Sequence, residues 1–181
     1  MSRAIPTVLS LLALAVAAPA AGAASNPWLV EQPLNIAHQG GEDEFPSNTM
    51  YAFERSLKAG ADMLELDVGV TKDDQVVVMH DTTLDRTTNG TGTIASHTLK
   101  QVEQLDGAYW FHAADVAFRH DRKASTYTWL GVATGKRRAP KGYTAADFRV
   151  PTLRAVLKAF SKVPINIEIK GRTKAEAVGE Y

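Results

Sequence analysis

The chain contains no cysteine, so neither a disulfide framework nor a lipid anchor on a thiol can hold it. It has no net charge either, with 20 basic and 20 acidic residues, so no global field draws it to nucleic acid or to an anionic membrane. The apolar run Leu9 to Ala18 falls short of the roughly 20 residues that a bilayer-spanning helix needs. Gly40-Gly41 and Gly90-Thr91-Gly92 lack the Lys-Ser/Thr of a phosphate-binding P-loop. Beyond residue 24 there is no internal repeat and no low-complexity tract. What remains is a chain that must be held by a core or by a metal.

Residues 1–24 read as a separate unit. Arg3 precedes the run Leu9 to Ala18, and Ala21-Gly-Ala23 follows, which is the pattern of a secretory signal peptide cleaved near Ala23 or Ala24. The expected location is therefore secreted, extracellular or periplasmic, without a stable membrane anchor.

Four stretches then read as β-strands running into loops: Leu34 to His38, Met63 to Asp67, Val76 to His80 and Ile165 to Lys170. In a strand, side chains at i and i+2 share a face, so Glu65 goes with Asp67 and Glu168 with Lys170, while Leu66 and Ile169 point the other way. Taken as parallel strands, the four bring three carboxylates, two histidines and a lysine to one end of one sheet. That is the layout of a (β/α) TIM barrel, whose reacting groups sit at the C-terminal strand ends.

Between these strands, Thr49 to Ala59 predicts a helix capped by Ser47 or Asn48 and ended by Gly60, with Met50, Phe53 and Leu57 on one stripe. Strands two and three abut through the polar turn 72–75, a departure from strict βα alternation. Thr98 to Gln101 reads as a capping box, with Leu99, Val102 and Leu105 facing inward. Thr152 caps another helix, with Leu153, Val156, Leu157 and Phe160 inward. Residues 106–150 show no sustained period, and a structureless connection of that length is improbable, so a small insertion subdomain or lid is expected there. That insert is cationic, with eight Lys or Arg against four Asp from Asp106 to Arg149. It is either a solvated surface or an attractor of anionic substrate. A further capping box at Thr173 to Glu176 opens a helix near Tyr181. A closed (β/α)8 barrel takes about 250 residues, so the expected architecture is the N-terminal part of one.

Glu65, Asp67 and Glu168 offer oxygen ligands only, a set that suits Ca²⁺ or Mg²⁺. Without a cation they would repel one another in a dry pocket. His38 and His80 are the candidate proton carriers, because imidazole titrates near neutral pH, and Lys170 adds positive charge. A Glu-x-Asp at a strand end is by itself commonplace, and so is a His-Asp pair such as His80-Asp81. The coincidence of all four strand ends carries the argument. His97, His112 and His120 are expected at the surface. Asn89-Gly90-Thr91 fits a glycosylation sequon, although a turn is the simpler use. Trp110 and Phe111 belong either to the core of the insert or to the substrate pocket, the latter being favoured.

Together, His38-Gln-Gly-Gly41, Pro46-Ser-Asn-Thr49, Glu65-Leu-Asp67, Val78-Met-His80-Asp81, Leu84-Asp-Arg-Thr-Thr-Asn-Gly90, Pro151-Thr-Leu153 and Ile167-Glu-Ile-Lys170 resemble the glycerophosphodiester phosphodiesterase family. The resemblance implies a TIM barrel with a small insertion over the site. It also implies hydrolysis of glycerophosphodiesters to an alcohol and glycerol 3-phosphate with Ca²⁺ or Mg²⁺. His38 and His80 would be the acid/base pair, Glu65, Asp67 and Glu168 the metal ligands, and Lys170 a phosphate or metal-site partner; Gln39 and Trp110 are further candidate substrate or phosphate contacts, not implied by the resemblance. The family commonly has Arg after the first histidine and Glu before the Asn-Thr, where this chain has Gln39 and Ser47. Loss of that Arg removes a bidentate phosphate donor. A lysophospholipase D-like phosphodiesterase and a non-catalytic secreted binding protein are the alternatives.

Overall fold

The computed structural model describes residues 33–115 and 117–170. The signal-peptide segment and the capping box at Thr173 lie outside these residues. Among them, β1 (Ile36–Ala37) leads through a 3₁₀ turn at His38–Gly40 into α1 (Met50–Lys58) and then β2 (Met63–Val70). Next come β3 (Val76–Val78), α2 (Leu99–Val102), α3 (Leu153–Ala159) and β4 (Ile165–Ile169).

The strand β2 is the axis of the sheet. Its first residues pair in parallel with β1, and Leu64 to Val68 pair in parallel with Ile165 to Ile169 of β4. The third strand departs from the expectation of four parallel strands: β3 runs antiparallel to β2, with Val68 opposite Val78 and Val70 opposite Val76. The reason is the connection. A parallel crossover needs a dozen or more residues, whereas the short link after Val70 permits only a hairpin. Thr71 closes it, its N–H donating to the Gln75 carbonyl at 2.9 Å while its hydroxyl accepts from the Gln75 N–H at 3.0 Å.

Alternation along β2 decides the rest. Leu64, Leu66 and Val68 point into a core shared with Phe53 of α1 and Val156 of α3, all buried, so the two helices cover one face of the sheet. The α1 cap is Thr49 rather than Ser47 or Asn48, because the Thr49 hydroxyl is the one that accepts the Ala52 N–H, at 3.2 Å. Gly60 follows the helix with φ +101°, a conformation that suits glycine. Truncating the fully buried Phe53 to Ala would cost about 3–5 kcal/mol. In α3 the expected stripe holds at Val156 but not at Leu157, which is 43% exposed.

A second core gathers Val77, Met79, Leu84, Ile94, Val102 and Val150 beneath the hairpin. The insert makes a third. Tyr51 of α1 lies within 5.0 Å, ring centroid to centroid, of Trp129, Tyr143 and Phe148, so the aromatic residues of 106–150 fasten that segment to the helix. Buried Asp106 staples it further, accepting from the Gly131 and Ala108 N–H groups at 2.7 and 3.1 Å. Asn89 Oδ1 accepts the Asp106 N–H at 2.8 Å, so the asparagine of the sequon already holds the insert to the preceding turn.

Candidate active site

The β2–β4 register builds the acidic part of the site. Asp67 lies directly opposite Glu168, and Glu65 is two residues back on the same face, so the three carboxylates offer oxygens within 4.8 Å of one another. Glu65 and Asp67 are buried. Burial pushes Glu65 above the usual carboxylate range; the Gln39 N–H, donating to Glu65 Oε2 at 2.7 Å, opposes this, and Asp67 adds to it. Lys170 Nζ stands 3.3 Å from Asp67 Oδ1 and hydrogen-bonds to Glu168.

One ammonium against three carboxylates leaves an excess of negative charge in a largely buried setting, which a divalent cation would balance. Two further observations fit such an ion. Apart from the ion pair to Lys170, Asp67 Oδ1 has no partner among the described residues, and Asn48 Oδ1, also buried, has none. The donors are all oxygen, as a hard cation requires.

The histidines reach the rim by different routes. His38 opens the turn that follows β1, with Nδ1 2.8 Å from Glu42 Oε1 and Nε2 3.9 Å from Glu65 Oε2. His80 is delivered by the returning arm of the hairpin, which the Met79 N–H anchors to the Asp67 carbonyl at 2.9 Å. Its Nδ1 is 2.6 Å from Asp81 Oδ1, and Arg86 Nε donates to Asp81 Oδ2 at 2.8 Å. The hydrogen bond to Asp81 raises the His80 pKa above its ordinary value; burial works against it, and Asp67 assists. Burial alone would raise Asp81, but the hydrogen bonds from His80 and Arg86 outweigh it and leave that carboxyl lowered.

In each histidine a carboxylate engages Nδ1, which leaves Nε2 for chemistry. This arrangement of two anchored imidazoles beside three clustered carboxylates is one that can move protons at a phosphoryl centre held by a metal. Comparison with known proteins agrees. Residues 38–180 match the model of the glycerophosphoryl diester phosphodiesterase family.

The chain belongs to that family. It is 36% identical over 146 residues to the putative glycerophosphodiester phosphodiesterase YhdW of Bacillus subtilis, covering 80% of this chain and 48% of that protein. It is 38% identical over 136 residues to human lysophospholipase D GDPD1, covering 75% and 36%. The solved structure of an Oleispira antarctica phosphodiesterase in complex with the product sn-glycerol-3-phosphate superposes with a TM-score of 0.55 at 26% identity, covering 76% of this chain and 44% of that one. The chain thus spans about half the length, or less, of the relatives it matches. The family's fold is the TIM barrel, and the described sheet is a partial α/β sheet of that kind.

Two candidate residues sit differently from the sequence expectation. Gln39, expected at the phosphate, is 2% exposed and turned inward, its Oε1 accepting from Ser47 Oγ at 2.6 Å and Asn48 Nδ2 at 3.5 Å. Trp110, expected in the substrate pocket, donates its indole N–H to the Thr88 carbonyl at 2.8 Å and stacks on His120 at 4.0 Å. Its cavity is lined by Asp85, Asn89, Thr91 and Tyr109 among others, and by none of the carboxylates or histidines of the rim. Phe111 is core.

Glu42 carries no signal in the sequence, while Asn48, Asp81 and Arg86 stand there only as a cap candidate, a commonplace His-Asp neighbour and part of a motif. Asn48 links the walls, donating from Nδ2 to Asp67 Oδ2 at 3.3 Å. The neighbouring position of Asp81 was visible, but only coordinates reveal that Arg86, five residues on, closes back upon it.

Proposed function

We propose that the protein hydrolyses glycerophosphodiesters to an alcohol and glycerol 3-phosphate. The observation that carries this reading is the cluster of Glu65, Asp67 and Glu168, with oxygens within 4.8 Å, flanked by two histidines each anchored at Nδ1 by a carboxylate. His80, its pKa raised by Asp81, would in its charged form deliver the Nε2 proton to the leaving alkoxide as the P–O bond breaks. His38, the more exposed imidazole, takes the proton from the attacking oxygen at its own Nε2. Glu65, Asp67 and Glu168 would hold Ca²⁺ or Mg²⁺, which when bound polarises the phosphoryl oxygens. Lys170 steadies Asp67 and Glu168 at the same rim. The product bound in the Oleispira antarctica structure supports the substrate class.

The same chemistry on a lysophospholipid is the second reading, favoured by the 38% identity to human lysophospholipase D GDPD1. Secretion follows from residues 1–24 on the sequence pattern alone. The test is release of glycerol 3-phosphate from a panel of glycerophosphodiesters and of lysophosphatidic acid from lysophospholipids, each with Ca²⁺, with Mg²⁺ and with EDTA. Cation-dependent release from the first group is expected. Release from the second alone moves the assignment to the lipid substrates, and release from neither overturns both.

A further inference from the structure

The two departures from the family pattern are in contact. Gln39 and Ser47 lie eight residues apart in sequence, yet Ser47 Oγ donates to Gln39 Oε1 at 2.6 Å, with both side chains buried. The backbone of Gln39 is also engaged. Its N–H donates to Glu65 Oε2 at 2.7 Å and its carbonyl accepts the Asn48 N–H at 2.8 Å. Asn48 passes the connection to Asp67.

The direction of these hydrogen bonds is fixed from one end. Asp67 is a carboxylate and accepts only, so Asn48 must present its NH₂ to it. The same NH₂ group faces Gln39 Oε1, which therefore accepts, and the Ser47 hydroxyl supplies the second donor. Gln39 holds a φ of +48°, a left-handed value uncommon outside glycine, and Asn48 a φ of +57°, which asparagine adopts more readily.

We propose that Gln39 and Ser47 form one matched neutral clamp that sets the Glu65 and Asp67 walls of the acidic cluster, and that residue 39 in this chain is a positioning residue and not a phosphate ligand. An Arg at 39 alone would be a cation buried against a hydroxyl, whereas a Glu at 47 would give it a carboxylate at the contact Ser47 now makes. Replacement of one position is therefore expected to be tolerated only with replacement of the other. Phosphate binding is left to the cation site and its neighbours, so this inference rests on the metal-site reading above.

The test is a double-mutant cycle on the full chain with Gln39→Met, Ser47→Ala and both, read in Tm without cation and in Ca²⁺ affinity by calorimetry. Removing an outer partner of a metal ligand typically costs about 10- to 100-fold in affinity. Each single change is expected to weaken Ca²⁺ binding by about tenfold, and the double variant to be no weaker than the worse single. Gln39→Arg is expected to lower Tm, and Gln39→Arg with Ser47→Glu to restore it. Additive losses, or an unrestored Gln39→Arg, would overturn the clamp. So would a KM for glycerophosphodiester that rises more than about tenfold in Gln39→Met at saturating cation while Ser47→Ala leaves it unchanged. A protein that binds no cation overturns the metal-site reading instead, and the Tm cycle still decides the clamp.

Discussion

His38 and His80 share a plan and differ in setting. In both, a carboxylate engages Nδ1, yet the His38 side chain is 63% exposed and hangs from a loop, while His80 is 38% exposed and its Asp81 is gripped in turn by Arg86. Orientation of a proton donor is worth more where the donor must be held protonated against burial. In the proposed hydrolysis the better-held His80 would be the proton donor and the exposed His38 the acceptor. Experiments can break this division.

The largest effect is expected from the imidazoles themselves. His38→Ala and His80→Ala should each lower kcat for the proposed hydrolysis by about 10²- to 10⁴-fold without loss of the folded state by circular dichroism. More than about a tenth of wild-type turnover in both variants would remove the acid/base assignment.

Next comes Asp81→Asn, expected to lower kcat by at least about tenfold and to move the alkaline limb of the kcat–pH profile to lower pH, because the hydrogen bond that raises His80 is weakened. Glu42→Gln, acting on the exposed histidine, should cost only a few-fold. Equal losses in the two variants would erase the distinction between the histidines. The same pair has a stability signature. His80 is raised in the folded state, so its contribution is complete below about pH 6.5 and disappears as pH climbs through the raised value. Asp81 is lowered, so its contribution is present above about pH 4 and disappears as acid approaches the lowered value. Thermal melts across pH should show that window in the wild type and lose it in Asp81→Asn.

A smaller effect tests the acidic wall between them. Glu65 is raised by burial, so its ionised form burdens the cation-free protein as pH rises. Glu65→Gln should leave the cation-free Tm unchanged or raise it by about 2–4 °C. It should also abolish the stabilisation that Ca²⁺ gives, about 2.7 kcal/mol at a hundredfold excess over Kd. A variant that keeps the full Ca²⁺ shift would show that Glu65 is no ligand. Arg86→Lys, last in order, should reduce turnover by a few-fold, since Asp81 keeps a charge but loses the fixed guanidinium geometry.

The strand ends were legible because period-2 alternation fixes which side chains share a face, and Glu65, Asp67, Glu168 and Lys170 obey it. The direction of β3 lies in the brevity of the 71–75 link, which the pattern of strand ends does not carry. Gln39 was not legible. Its place beside His38 made it a candidate phosphate contact, and nothing along the chain announces that its backbone turns left-handed and its side chain is buried. The surroundings of Trp110 are not legible either: its partners Thr88 and His120 come from segments whose meeting depends on the tertiary fold. Leu157 keeps helical spacing yet is exposed.

The hairpin has a kinetic meaning as well. Glu65, Asp67 and His80 lie within one short stretch whose pairing closes a small loop, at little entropic cost, so this part of the rim can assemble from local contacts. Glu168 reaches its place opposite Asp67 only when a strand about a hundred residues downstream docks on the far edge of β2. Cation binding through all three carboxylates would then report the last long-range pairing to form, and a stopped-flow refolding signal from Ca²⁺ uptake would lag the hairpin by the time that docking takes.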